Sequence, residues 1–446
     1  MNESKNIDYL TCLFKSLPAQ SNSSTFQDTL PEDPQLWIKQ LRAQAIDEAG
    51  QLKWPTNKDE EWRFTDISPL TRLPFKPAQA GYVPDLSEVR PFFIEEMVNR
   101  LVFVNGFFAP ELSSITHENQ LIIGNLDTLA TSHAHVISAH LGQYAQFRQN
   151  LFTALNTAFL HDGAIIIAPR NTVVDQPIHL LFVATQAETT HYPRCLIVGD
   201  DNSQMTVVED YVALQADKSS AYITNSVTEL KLSANAQIQH IRLQRENLNA
   251  FHLANCAVSL DHASRYETIS ISLGAKISRY NLNVSLNAKA AECAIDGLAL
   301  ITDGQLADTH TCIDHVKPNC TSHQQHKCIV DNDAHAVFNG KIIVRPNAQK
   351  TNSSQSSRNL LLSNKAQIDT KPQLEIFADD VKCAHGATVG QLDKDEIFYL
   401  KSRGLSELAA RNLLTYAFGA EILNNIPIPS LKHTLEQTVL NQTQSH

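Results

Sequence analysis

The strongest constraint on this fold is a long stretch in which apolar and polar residues alternate with a period of two. It begins at about Pro177 and continues for roughly two hundred residues without a segment of helical period. Because side chains of a β-strand point alternately to opposite faces, the pattern predicts many short, half-buried strands. Their apolar positions include Leu230, Leu232, Ile269, Ile271, Leu273, Tyr280, Leu282, Val284, Leu286 and Ile295. A sandwich, a barrel or a β-solenoid can be built from such strands.

The connections between these strands favour the solenoid over the sandwich. They are short and rich in Ala, Ser and Asn, as in residues 233–236, 261–264 and 287–290. These turns contain none of the Asn-Gly or Asp-Gly pairs that are typical of tight β-hairpins. Small corner residues instead suit a chain that winds in one direction.

Helical periodicity precedes the β-rich stretch. Asp33, Pro34 and Gly50 carry the start and stop signals of a helix. Its predicted apolar face consists of Trp37, Ile38, Leu41, Ala45 and Ala49. A second helix is predicted over residues 142–162, where Phe147, Leu151, Leu155 and Phe159 recur every four residues.

Helical periodicity also follows the β-rich stretch. Residues 393–402 predict a short helix that Gly404 terminates, and Ser406 can cap a second helix over Glu407–Leu423. Two prolines, Pro427 and Pro429, end it. We expect these helices to cover the open end of the solenoid, where unpaired strands would otherwise associate with other chains.

Charge and composition exclude several classes of function. The chain has 47 acidic and 36 basic residues and a formal net charge of −11, which argues against nucleic acid as the main partner. It has no Walker-type phosphate loop, so we do not expect it to bind ATP itself. The sequence shows neither a secretory signal nor a long apolar span, which predicts a cytoplasmic protein. In that reducing compartment the eight cysteines would remain free thiols.

The sharpest local motif is a Cys-x-His pattern within residues 380–390. If this segment is a strand, Cys383 and His385 lie on one face with Cα atoms about 7 Å apart. A thiolate and an imidazole at that separation can bind one metal ion or one iron–sulfur cluster. The alternative is a buried cysteine beside a hydrogen-bonded histidine, since free cysteine is among the most buried residue types.

A dense run of histidine and cysteine forms a second candidate. It comprises His310, Cys312, His315, Cys320, His323, His326, Cys328 and His335. Two Cys-x-x-His spacings within the run permit a zinc site, although the run matches no zinc-finger template. Inward-facing cysteines of a solenoid would instead pack as small apolar residues, which is the interpretation we favour. A transit route for iron or sulfur is a third possibility.

Acidic residues 59–61 do not form a convincing catalytic pair. Glu60 and Glu61 are adjacent, and adjacent residues do not face each other on a helix or a strand. We predict a solvated turn anchored by Trp62 and Phe64. The sequence also has no nucleophile elbow, no HExxH motif and no ladder of carboxylates of the kind a β-helix polysaccharide lyase needs. A scaffold is therefore expected rather than an enzyme.

Several of these segments resemble the SufB/SufD family of iron–sulfur cluster assembly proteins. Residues 58–65 (KDEEWRFT) resemble an N-terminal signature of the family, and residues 156–169 resemble the entry to its core. The most specific match runs from residues 336–340 (AVFNG) through residues 369–404, which include the Cys-x-His motif. The likeness extends over nearly the whole chain.

The resemblance implies a mainly β fold. Its core would be a right-handed parallel β-helix, flanked by an N-terminal, mostly helical (α/β) domain and a C-terminal helical domain. On this chain the implied boundaries are residues 1–168, 169–392 and 393–446.

The resemblance also implies partners and ligands. The subunit would pair with SufB through the β-helices, or with itself when alone. Its C-terminal helices would bind the SufC ATPase, with Phe398, Tyr399, Arg403 and Gly404 as contact residues. A transient iron–sulfur cluster, shared with SufB and not stably bound by this chain alone, would form near Cys383 and His385. His385 would be the metal ligand.

Two departures separate the branches of the family. SufB carries a glutamate after the motif histidine, where this chain has Gly386. SufB also has a functional cysteine in the strand after an Arg-Asn pair, whereas Arg358 and Asn359 here lead into Leu-Leu-Leu-Ser. Both differences favour the SufD branch, and a SufB-like primary scaffold is the alternative.

Overall fold

Two stacked β-sheets wind together into a parallel β-solenoid of about eight turns, which confirms the predicted fold class. The computed structural model describes Leu13 and residues 36–73, 75–116, 121–214 and 221–444. Each turn of the coil places one strand in each sheet. The chain therefore alternates between the sheets, and sequential neighbours within one sheet are one full turn apart.

The strands divide between the sheets as follows. The first sheet contains β1 (Lys76–Pro77), β4 (Ile122–Asn125), β5 (Ala164–Ala168), β7 (Thr189–His191), β8 (Arg194–Gly199), β10 (Ile223–Leu232), β12 (Phe251–Leu260), β14 (Ile277–Leu286), β16 (Leu306–His315), β18 (His335–Val344) and β20 (Gln367–Ile376). The second sheet contains β2 (Asn99–Val104), β3 (Phe107–Phe108), β6 (Ile178–Ala184), β9 (Gln204–Ala213), β11 (Gln237–Gln244), β13 (Arg265–Ser272), β15 (Glu292–Ile301), β17 (Thr321–Val330), β19 (Asn352–Leu361) and β21 (Lys382–Gly390).

Successive strands pair in register, so equivalent side chains stack in columns along the solenoid. One interior column of the first sheet reads Ile197, Leu230, Val258, Val284, Ile313, Ile342 and Leu374. The corners between strands use a left-handed backbone at small or polar residues, for example Asn235, Ala263 and Ala290. One corner does contain an Asp-Gly pair, Asp303-Gly304, but it links parallel coils and not a hairpin.

Helices precede and interrupt the first coils. They are α1 (Leu36–Gln51), α2 (Leu86–Val89), α3 (Leu126–Ser132), α4 (Ala134–His140) and α5 (Leu151–Ala158), with short 3-10 helices at Glu60–Trp62, Ser68–Arg72, Arg90–Phe92 and Pro110–Leu112. The first predicted helix is confirmed as α1, whose Ala45 and Ala49 pack beside α5. Asp33 and Pro34, its predicted start, lie outside the described residues.

The second predicted helix is wrong in its extent, because α5 begins only at Leu151. The carboxylate of Glu229 accepts hydrogen bonds from the backbone N–H groups of Gly142, Tyr144 and Ala145. Those N–H groups are thus directed at a buried side chain and not along a helix axis. Asn150 then caps the shorter helix by accepting a hydrogen bond from the backbone of Thr153.

Three helices follow the solenoid: α6 (Lys394–Ser402), α7 (Glu407–Leu423) and α8 (Pro429–Gln444). The first two confirm the prediction, with side-chain caps from Asp393 and Ser406. Helix α8 is not predicted from the sequence, because Pro429 indicates only the end of the preceding helix. Proline also suits the first turn of a helix, where its missing N–H costs no hydrogen bond.

The expectation that these helices cover the open end of the solenoid is wrong. Helices α7 and α8 and the loop between them lie against the outer face of the second sheet, where Ile422, Leu423, Ile426, Ile428, Leu431, Leu435 and Val439 pack with Ile241, Leu243, Ile269, Ile271, Leu298, Leu300 and Ile329. That outer face is apolar in these coils, so burying it against the helices stabilises the sheet. Within the described residues, no helix combines the length and apolar character of a membrane span.

The domain boundaries stay a prediction. Strands β2 and β5 fall in the proposed N-terminal domain, yet they pair in parallel with the solenoid strands β6 and β8.

Candidate functional site

The C-terminal end of the solenoid is open. In the described part of the chain, β20 and β21 each pair with a strand on one side only, β18 and β19 respectively. We call β20 and β21 the last coil, and strands β8 to β19 the inner coils. Ile376, Phe377 and Val389 of this end are 40%, 60% and 48% exposed. The last coil therefore offers unpaired backbone groups and apolar side chains to another chain.

Cys383 and His385 lie together in the last coil. Both belong to β21 and stand directly over Ser353 and Gln355 of β19. Ser353 and Gln355 are buried inside the solenoid, so the two motif side chains continue interior columns at the point where the interior opens. Cys383 is half-buried against the core, and His385 is exposed. The predicted common face is confirmed, and it is the inward face.

The environment of the Cys383 thiol limits its ionisation. Partial burial raises the pKa of this thiol above its ordinary value. A thiol with a raised pKa is protonated at neutral pH, and a bound metal ion or a nearby cation is needed to deprotonate it.

The histidine and cysteine run does not converge on one point. Among the residues that the structure describes, no three His, Cys, Asp or Glu side chains form a group that could hold a metal ion. The histidines have separate partners: His310 contacts Asp308 and Glu61, His315 contacts Ser322, His323 contacts Ser354, His326 stacks on Phe338, and His335 contacts Asp369. Cys320 and Cys328 are buried, and burial raises the pKa of Cys328 to about 12. This arrangement fits the packing interpretation.

Residues 58–65 form a clasp across the outer face of the first sheet. The Trp62 ring lies 3.9 Å from the guanidinium carbon of Arg279 in β14. Thr65 donates a 2.5 Å hydrogen bond to Asp308 in β16. The exposed turn was predicted, but its attachment to distant strands was not, because those contacts join residues more than two hundred positions apart.

The two glutamates of the clasp each pair with the solenoid. Glu61 lies 3.1 Å from Nδ1 of His310, and Glu60 lies 2.6 Å from Nζ of Lys371 in the last coil. The clasp thus reaches the last coil as well as the inner coils. It borders a cavity of about 420 Å³ whose lining carries charges of both signs.

His310 lies between the carboxylates of Asp308 and Glu61, and the three groups shift one another's pKa values. Burial alone would lower the pKa of His310, but the carboxylates of Asp308 and Glu61 outweigh it and raise that pKa. The hydrogen bond from His310 lowers the pKa of Glu61. Burial opposes ionisation of Asp308, yet Arg279 and His310 lower its pKa to about 2.

The predicted contact residues of the C-terminal region lie on α6 and just after it. Phe398 and Tyr399 are 73% and 57% exposed, and the Arg403 guanidinium sits 5.3 Å from the centre of the Tyr399 ring. Gly404 ends the helix with a φ of +97°, a conformation that favours glycine. These side chains form an exposed aromatic and cationic surface.

Comparison with known proteins agrees with this architecture. The family described as SUF system FeS cluster assembly, SufBD core domain, matches residues 182–418, and the SufBD protein N-terminal region matches residues 24–180. The chain belongs to the SufB/SufD family of iron–sulfur cluster assembly proteins. The core match includes most of the solenoid, the Cys-x-His motif, α6 and part of α7.

Individual relatives place the chain near SufD. An iron–sulfur cluster assembly SufBD family protein of Synechocystis is 42% identical over 412 residues, which cover 90% of each chain. SufD of Escherichia coli is 32% identical over 383 residues, covering 85% of this chain and 86% of the relative. SufD of Bacillus subtilis is 27% identical over 425 residues, covering 90% and 93%. The chain is therefore a SufD-like member of the family.

Proposed function

We propose that this SufD-like chain is a scaffold subunit that pairs with SufB through its last coil and binds the SufC ATPase through its C-terminal helices. A nascent iron–sulfur cluster, the cargo of the assembly, would be held at the contact with SufB by Cys383 and His385. The main support for this proposal is that these two donors lie side by side at the open end of the solenoid.

The number of donors supports a shared site. A thiolate and an imidazole suit iron and iron–sulfur clusters. In the described part of the chain, however, no third Cys, His, Asp or Glu joins them to form a metal-holding group. Iron in such clusters commonly has four ligands, so the remaining donors must come from sulfide and from a partner.

The shape of the last coil supports pairing with a second solenoid. Its strands have unpaired edges beside the exposed Ile376, Phe377 and Val389. Strand edges pair readily with other strands, and burial of the apolar side chains would add to the stability of the contact. In the absence of SufB, the same surface would pair with a second copy of this chain.

The surface of α6 supports a second contact. Exposed aromatic and arginine side chains are enriched at protein interfaces, and Phe398, Tyr399 and Arg403 form such a group. We assign this surface to SufC. A cytoplasmic location stays a prediction.

Co-purification with SufB and SufC tests the ligand role. Wild type, His385→Ala and a matched control, His323→Ala, are compared for subunit composition and for cluster content after reconstitution. His323 lies in the same sheet, is exposed and contacts Ser354. We expect His385→Ala to keep the complex and lose cluster, and His323→Ala to keep both. Unchanged cluster content in His385→Ala, or loss of the complex itself, would contradict the ligand role.

A further inference from the structure

The interior column beneath His385 changes character toward the open end of the solenoid. Reading along the second sheet, it contains Ile295, Gln324, Gln355 and finally His385. The apolar position in β15 is thus followed by two buried amides, which are 4% and 3% exposed. Two amides inside a β-solenoid are costly unless their hydrogen bonds are satisfied, so their placement calls for a physical reason.

Hydrogen bonds join these amides to Thr311 and to each other, and the Thr311 hydroxyl donates to Oε1 of Gln324 at 3.1 Å. Gln324 donates from Nε2 to the Thr311 hydroxyl at 2.9 Å. Gln355 donates from Nε2 to Oε1 of Gln324 at 2.8 Å. The donor end of Gln355 is therefore committed to the inner coils. Its acceptor, Oε1, is buried and has no hydrogen-bond partner among the described residues.

The opposite sheet makes room for this amide. Gly340 in β18 has no side chain, and a Cβ atom placed there would come within 2.3 Å of Gln355 Nε2. The φ angle of Gly340 is not positive, so glycine is required here for space and not for its backbone conformation. The absence of a side chain at Gly340 thus leaves space in the interior for the Gln355 amide.

We propose that Gln355 is a positioning residue for His385. Neighbouring strands lie about 4.8 Å apart, so an imidazole directly over Gln355 is within reach of its side chain. With its side chain turned inward, His385 would donate a hydrogen bond from one imidazole N–H to Gln355 Oε1, and the other ring nitrogen would then carry the lone pair and face the open end. Hydrogen bonds of this kind set the tautomer and ring orientation of metal-binding histidines. The effect of this hydrogen bond on iron binding rests on the proposed function, but the hydrogen bond itself can be measured without iron.

The direct test is the tautomer of His385 in the full-length protein. Imidazole ¹⁵N chemical shifts are recorded for ¹⁵N-histidine-labelled wild type, at a pH where the ring is neutral, and the His385 signals are assigned by their loss in His385→Ala. We expect one tautomer in clear excess. A wild-type spectrum in which His385 has the tautomer ratio of free histidine would overturn the proposal without any Gln355 variant.

Three variants sharpen this test. Gln355→Met keeps the length but removes the acceptor, Gln355→Glu keeps an acceptor, and Gly340→Ala displaces the amide through its Cβ. We expect the tautomer excess to be lost in Gln355→Met and Gly340→Ala and retained in Gln355→Glu. Ser357→Ala is the control, since Ser357 is an inward residue of the same strand that lies under Ala387. Retention of the excess in folded Gln355→Met would overturn the proposal.

Iron binding separates this inference from the proposed function. In the complex with SufB and SufC, titration with Fe²⁺ is expected to show a roughly 10- to 100-fold lower affinity for Gln355→Met than for wild type. If Gln355→Met changes the tautomer while both it and His385→Ala bind iron normally, the positioning role stands and the ligand role fails. If His385→Ala loses iron but Gln355→Met changes neither tautomer nor affinity, the ligand role stands and the positioning role fails.

Discussion

The inner coils and the last coil are built on the same repeat but have different surroundings. In the inner coils an inward residue such as Ile295 is covered by the next turn and is 4% exposed. In the last coil the equivalent position is His385, which is exposed because no described strand follows β21. A repeating fold thus acquires a candidate reactive site where the repetition stops. In the column that leads to His385, buried polar residues already replace isoleucine at Gln324 and Gln355, one and two turns after Ile295.

The largest difference in stability between the inner coils and the last coil is expected for their ion pairs. Glu229 is buried, pairs with the buried Arg194 and accepts three backbone hydrogen bonds, whereas Glu60 pairs with Lys371 of the last coil in solvent. Glu229→Ala should lower the free energy of unfolding by roughly 3–5 kcal/mol, since it leaves a buried guanidinium unpaired. Glu60→Ala should lower it by about 0–1 kcal/mol, because solvent screens that pair. Urea denaturation measures both, and equal losses would contradict the contrast.

A smaller difference in stability is expected between apolar side chains at the two ends of one interior column. Leu260 in β12 is fully buried, and Ile376 occupies the corresponding column at the end of β20, where it is 40% exposed. Leu260→Ala should lower the free energy of unfolding by about 2–5 kcal/mol through lost burial and a cavity. Ile376→Ala should cost well under half of that in the isolated subunit. A loss at Ile376 as large as at Leu260 would mean that the last coil is covered.

The clasp that joins the two regions should respond to pH. His310 has a raised pKa, so its contribution is complete below about pH 6.5 and is lost as the pH rises through the raised value. Glu61 has a lowered pKa, so its contribution is complete above about pH 4.5 and is lost as the pH falls through the lowered value. The contact should therefore stabilise the protein most between these limits, by on the order of 1 kcal/mol.

Unfolding of wild type and His310→Gln, measured as a function of pH, tests this. The difference in free energy between them should shrink as the pH rises above 6.5. A difference that is constant with pH would show that His310 acts only through packing.

Local patterns predicted much of the fold. The period of two predicted the strands, because alternation alone decides which side of a strand is buried. Ser406 and Asp393 located two helix starts, since a cap acts within a few residues of its own position. The shared face of Cys383 and His385 followed from the same alternation.

Short strands that wind in one direction, two of the helices near the C-terminus and the common face of a thiol and an imidazole are therefore predictable from local sequence alone. Long-range contacts place α7 and α8 on the outer face of the second sheet, fix the start of α5 at Leu151 through Glu229, and set the motif over Gln355 at an open end. The difference lies in how far apart along the chain the interacting residues are. Alternation and capping act between near neighbours, whereas burial, ion pairing and register join residues that meet only after the chain has wound into coils.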